Sequence, residues 1–406
     1  MNNRQLLRTS RTLAIIGGSS LFLWGALSPP ASGVLQGPPR PPKPLGGLTP
    51  AEQRLFQAGV GVFAELEAPP DGLGPVFNGV SCAECHRAGG LGGAAENLGV
   101  ARVTRIGGMT NGKYTDLAQV GGPLLQSRSL RELIRGYPVP GEVVPKEAQF
   151  VSHRITTPLF GAGLIEAIPD SAILALERQS QPDGVHGVAN RVLNPDTGKT
   201  EIGRFGWKAQ VSALHWFSGD AYLNEMGITS PVFSHENLPQ GKPIPKGADQ
   251  VPDPEEAGPD IAAATDFMRF LAPLDPVPPT PEAIRGEAIF ANVRCTSCHV
   301  PTLQTGANLS KALSNIPVRL FSDLLLHRMG AGLADGIQQG QAAGDQFRTA
   351  PLWGVGRRPF LLHDGRANSV DQAIRLHAGE ALSSHDRYLR LNPRDRNAVI
   401  EFLNGL

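Results

Sequence analysis

All four cysteines of the chain stand in two copies of one pattern, Cys82-Ala83-Glu84-Cys85-His86 and Cys295-Thr296-Ser297-Cys298-His299. In c-type haem attachment two thiols add to the porphyrin vinyl groups, and the next imidazole turns under the ring to ligate the iron. Spacing and histidine are therefore required together. A redox dithiol has no need of that histidine, and a four-cysteine zinc site would have to join motifs far apart in the chain. The pattern predicts two covalently bound haem c groups, with Cys82, Cys85, Cys295 and Cys298 as attachment points and His86 and His299 as proximal iron ligands.

The sixth iron positions need further residues. His377 follows His299 by 78 residues, a separation at which cytochrome-like modules place a distal ligand. Met329 is its rival, and is alternatively a packing residue of an apolar stretch. No equivalent histidine occurs in 160–169, where Glu166 stands instead. A carboxylate beside an open iron face can carry a proton between the two oxygens of a peroxide, which makes Glu166 the catalytic candidate. An ion pair with Arg154 or Arg204 is the competing role. His153 could approach that face or bond haem propionates, and Arg154 and Arg348 suit propionates because a guanidinium fork matches a carboxylate. Trp207, Trp216 and Trp353 are the candidate aromatic relays between haems, with core packing as the alternative for each. His363-Asp364-Gly365-Arg366 is a polar turn that lines a pocket or caps the helix after it.

The elements that must hold these residues recur. Thr49-Pro50-Ala51-Glu52 and Thr280-Pro281-Glu282 each read as a helix start ahead of a cysteine motif, with Thr as cap and Pro at the first helical position. Ile261, Ala264, Phe267, Met268 and Leu271 form one apolar helical face, and Ala398, Val399, Phe402 and Leu403 another. The expected fold is mainly α: two cytochrome c-like haem domains, 49–272 and 280–406, with long irregular loops and an insertion in the first. Gly (48) and Pro (36) supply those loops. No run of alternating strands is evident, although a hairpin fits around Asn194-Pro195-Asp196-Thr197-Gly198.

Arg4, Arg8 and Arg11 precede an apolar run over 13–27 and a small-residue segment, which reads as a signal peptide over 1–33 or, alternatively, an uncleaved anchor. A Pro-rich leader follows over 34–48. The mature protein is expected to be periplasmic and without stable membrane insertion. With 37 basic and 37 acidic residues in 406, the chain has no net charge to attract nucleic acid.

Beyond the haem motifs, the segments 160–170 (FGAGLIEAIPD), 203–209 (GRFGWKA), 322–335 (SDLLLHRMGAGLAD), 347–354 (FRTAPLWG), 362–367 (LHDGRA) and 377–381 (HAGEA) carry a likeness. With them the chain resembles the di-haem c-type oxidoreductases related to bacterial di-haem cytochrome c peroxidases and to MauG. That resemblance implies peroxide or oxygen chemistry at the N-terminal haem and a six-coordinate relay at the C-terminal one. It places His377 as distal ligand of the relay and Glu166 loosely near the other haem. Arg328 replaces an acidic residue usual in such proteins. The stretch Asp183-Gly184-Val185-His186-Gly187 lacks the further oxygen ligands that a calcium site between the domains would need. The implied function is reduction of peroxide with electrons from a small donor, cytochrome c or cupredoxin-like, passed through the C-terminal haem to the N-terminal one. The alternative is a non-catalytic di-haem electron carrier.

Overall fold

Helix starts with a hydroxyl cap and a proline hold the same place ahead of both cysteine motifs. In the computed structural model, which describes residues 41–406, Thr49 caps the helix Pro50–Ala64. Its Oγ1 accepts from the Glu52 N–H at 3.3 Å, and Glu52 Oε2 accepts from the Thr49 N–H at 2.7 Å, a closed capping box. Thr280 caps Pro281–Asn292 through the Ala283 N–H at 3.0 Å. The expected signal peptide and residues 34–40 of the Pro-rich leader lie outside the described residues. Among those described, no helix is long and apolar enough to cross a membrane.

Each of these helices packs on the apolar face of a later one. Pro50–Ala64 lies on Pro259–Phe270, with Phe267 ring-to-ring against Phe56 (5.6 Å) and Phe63 (4.5 Å). Pro281–Asn292 lies on Pro393–Asn404, with Phe290 and Phe402 at 5.6 Å. A glycine stands at both crossings. A Cβ on Gly59 would overlap the Ala263 carbonyl, and one on Gly286 the Ala398 carbonyl, so only glycine admits this approach.

The interior is not divided at the proline-rich stretch 273–279. Leu313, Leu320, Leu324, Leu325 and Trp353 share one buried cluster with Phe56, Phe63, Phe267 and Leu271. A second cluster is confined to residues 283–403.

The expected hairpin forms as Arg191–Asn194 paired with Lys199–Ile202, its turn held by Asn194 Oδ1 accepting from the Asp196 N–H at 2.9 Å. A larger sheet corrects the expectation of helices and loops alone. Arg102–Thr110 pairs antiparallel with Lys113–Thr115, Leu124–Leu125 and Phe150–Ile155. Within Arg102–Thr110 the buried positions are the consecutive Ile106, Gly107 and Gly108, so the strand carries no alternation of apolar and polar residues to be read.

Candidate functional site: two cavities behind the cysteine motifs

Both motif histidines are held in one way. The short helix Cys82–Cys85 starts at Ser81, whose Oγ accepts from the Ala83 N–H at 3.2 Å, and His86 follows with its Nδ1 donating to the Gly93 carbonyl at 3.0 Å. In the second motif His299 Nδ1 donates to the Phe321 carbonyl at 2.9 Å. Fixing the proton on Nδ1 leaves Nε2 with its lone pair, the state of a metal-ligating imidazole. Burial draws both imidazoles down to about 4, so both are neutral. Phe63 stands edge-on to His86 at 5.8 Å, and Phe290 is tilted against His299 at 6.1 Å. Burial pushes the thiols of Cys82, Cys85 and Cys295 up to about 12, opposite to the lowered pKa that a redox dithiol uses.

Each motif opens onto a largely apolar cavity; with the solvent space at its mouth the first spans about 1140 Å³ and the second about 1490 Å³. Two large apolar cavities, each with an imidazole whose Nε2 is free, fit a haem apiece.

The second cavity brings His299, His377 and Met329 together. His377 closes the turn after the helix Val370–Arg375, and its Nδ1 donates to the Ala373 carbonyl at 2.7 Å, leaving Nε2 free as in the motif histidines. His363 lines the cavity too, stacked on Phe347 at 4.3 Å, while its neighbours Asp364 and Arg366 pair with each other. Arg328 turns outward to Asp345 at 2.7 Å. His327 was not singled out by its sequence. It bridges Asp323 and Glu380, each at 2.8 Å, with Cys298 Sγ 3.6 Å away. Against the pull of burial, these hydrogen bonds hold its pKa well above the usual range.

In the first cavity the acid residues are Asp220 and Glu225. Glu225 lies in the single π-turn Tyr222–Met226 that follows the helix Leu214–Ala221, a type of distortion frequent at functional sites. Burial raises its carboxyl to about 7, with Arg105 and a 3.2 Å hydrogen bond from Asn78 Nδ2 acting in the other direction. Its sequence signal is a lone acid in the apolar run Tyr222 to Ile228.

Glu166 lies elsewhere. It does not line this cavity: its Oε1 accepts from the Leu214 N–H at 2.8 Å, and Oε2 sits 3.3 Å from Arg269 Nε. The helix Ala162–Glu166 buries Leu164 and Ile165 in the core, which leaves its last residue to cap the start of Leu214–Ala221. Neither expected partner reaches it through a side-chain pair. Arg204 bonds Asp170 and backbone carbonyls, Glu166's own among them, and Arg154 is spent on Asp335 at 2.6 Å and on Gln339. His153 faces outward from its strand beside Thr104 Oγ1 at 3.1 Å.

Of the three candidate tryptophans, Trp207 lines both cavities, as do Ile155 and Thr156. Trp353 is a core residue and Trp216 packs at the edge of the same core.

A family described as "Di-haem oxidoreductase, putative peroxidase" matches residues 131–406, a span that contains the second cysteine motif and not the first. No curated protein matches. Among solved structures the chain is similar to hydrazine synthase of Kuenenia stuttgartiensis, at 13% identity and TM-score 0.36, over 92% of this chain and 98% of that one. It is similar to the diheme peroxidase BthA of Burkholderia thailandensis, at 16% identity and TM-score 0.39, over 87% and 86%. A MauG-like protein associated with microbial copper homeostasis is similar at 13% identity and TM-score 0.32, over 67% and 94%. With well over half of its length matched, the chain belongs to the di-haem oxidoreductase family, whose cofactor is haem.

Proposed function

We propose that this protein is an exported, periplasmic oxidoreductase of peroxidase type that carries two covalent haem c groups. Cys82 and Cys85 attach the first and Cys295 and Cys298 the second, within haem domains 49–272 and 280–406. His86 and His299 would hold the two irons as proximal ligands, and His377 would be the sixth ligand of the C-terminal haem. A small donor protein, cytochrome c or cupredoxin-like, would deliver electrons there, and the N-terminal haem would supply the chemistry that reduces hydrogen peroxide. The observation that carries this reading is the shared state of three imidazoles. In His86, His299 and His377 the Nδ1 proton is committed to a backbone carbonyl and Nε2 is left for a metal.

When bound, the haems supply the one-electron chemistry and the cleavage of the peroxide bond. The chain supplies position, a path and protons. Trp207 stands in the wall common to the two cavities, where an aromatic ring shortens the way between them. Glu225, which lines the first cavity, takes the proton-handling part expected of Glu166. With its pKa raised to about 7, the carboxylate can accept a proton from bound peroxide and return it to the leaving oxygen at neutral pH. Reduction of one peroxide to two waters consumes two electrons from the donor and two protons from solvent, and Arg105 offers a fixed positive charge in the same cavity.

Intact mass and haem-stained gels of protein matured in a strain competent for cytochrome c assembly test the reading. Two haems are expected, and the bare-chain mass would end it. Electron paramagnetic resonance then separates enzyme from carrier: a high-spin signal is expected from the N-terminal haem, whereas two low-spin signals with no peroxide consumption after half-reduction fit a carrier.

A further inference from the structure

Among the described residues, two arginines that line the second cavity form no ion pair. Arg348 is only 8% exposed; its Nε donates to the Gly206 carbonyl at 2.9 Å, and its Nη1 is buried with no partner. Its backbone N–H donates to the Trp207 carbonyl at 2.8 Å, which ties it to the wall between the cavities. Arg358 Nη2 donates to the carbonyls of Pro351 at 3.0 Å and Trp353 at 2.7 Å. Every acceptor is a neutral carbonyl, and among the described residues neither guanidinium forms an ion pair. Both are lowered to about 10, mainly by burial; Arg348 acts with burial on Arg358, and Asp323 acts against it on Arg348.

The contrast with Arg154 is informative. It is buried like Arg348, Arg358 being half-buried, and Asp335 balances it at 2.6 Å. Buried charges in proteins are paired, because an uncompensated one is among the costliest features an interior can hold. Two unbalanced guanidiniums lining one cavity therefore describe a site for two negative charges. Both also line the smaller cavity that Trp207 and Gly206 share, so the site faces the inter-cavity wall.

We propose that Arg348 and Arg358 form a clamp for the two propionates of the C-terminal haem and turn that edge of the porphyrin towards Trp207. A guanidinium fork matches a carboxylate in geometry, and the count of charges closes at two and two. The propionates would complete the clamp in this one orientation of the haem. Positive charge held beside the ring also favours the iron with one electron more, so the pair raises the reduction potential of the C-terminal haem. The inference rests on the haem reading above, and both arginines act as positioning residues.

The test uses the full chain with haem in place. Arg348→Gln and Arg358→Gln are compared with Arg319→Gln, which removes the same charge from an exposed pair with Glu287. In a spectroelectrochemical titration each cavity variant is expected to shift the C-terminal haem to lower potential and to make that potential newly pH-dependent near neutrality, as a released propionate titrates. The N-terminal haem is expected to move less. Resonance Raman should show a shifted propionate bending mode, and Arg348→Lys and Arg358→Lys, which keep the charge and lose the fork, should shift that mode as well. The Lys variants carry the test if the Gln variants fail to mature. Two haems by mass with potentials and propionate modes matching the Arg319→Gln control would overturn the clamp alone, whereas absence of haem from the unmodified chain would overturn the reading beneath it.

Discussion

The indole Nε1 of Trp207 donates to the Ile155 carbonyl at 2.8 Å, and the Ile155 N–H donates in turn to the His363 carbonyl, also at 2.8 Å. One residue, Ile155, thus fixes the ring that both cavities share and reaches the turn that lines the second. The ring is held at its polar tip and packed along its apolar body, so it has one orientation.

Trp207→Phe keeps an aromatic ring and removes the hydrogen bond. Stability should fall by about 1 kcal/mol from the unpaired Ile155 carbonyl, with haem content unchanged. Electron transfer between the haems, followed by stopped-flow absorbance after mixing half-reduced protein with peroxide, should slow. An unchanged rate would show that the electrons take another path.

Replacing Glu225 by Gln should lower peroxide turnover by roughly 10² to 10⁴, the usual contribution of a positioned acid–base group. The sign of the pH effect follows from burial. Because the carboxyl is raised to about 7, the basic form appears as pH rises through 7, so turnover should climb across that range in the parent and lose this limb in the variant. Glu166→Ala should leave the profile in place and cost about 1 kcal/mol through the unpaired Leu214 N–H. A Glu166 variant that lost the limb would return the role to that residue.

His377→Gly should convert the C-terminal haem from low spin towards high spin by electron paramagnetic resonance. If the low-spin signal persists unchanged, Met329, which lines the same cavity, takes the sixth position.

Gly59→Ala and Gly286→Ala probe the helix crossings. Each added methyl meets a backbone carbonyl of the partner helix, so the helices must separate, at about 1–3 kcal/mol for overpacking of this kind. Thermal unfolding should show a lowered Tm for both. An unchanged Tm would mean that the crossings slide without cost.

The parts of this molecule with strong local rules were legible in its sequence. Thr49 and Thr280 cap the helices their sequences announce, and the faces built on Phe267 and Phe402 are buried. The strand Arg102–Thr110 was not legible, because its buried residues are consecutive and two of them are glycine. At the site, Glu166 was selected by its place in a sequence segment, whereas the side chain that reaches the cavity is Glu225, brought there by a π-turn no local pattern announces. Arg154 and Arg348 looked alike as candidates. Only the fold shows that the first is balanced by Asp335 and the second is not.

The core that joins Leu313, Leu320 and Trp353 to Phe267 and Leu271 gives the proline-rich stretch between the halves a different meaning. It is a seam rather than a hinge: pulling the halves apart would wet several large apolar side chains at once. The spacing of the two cavities is then a constant of the fold.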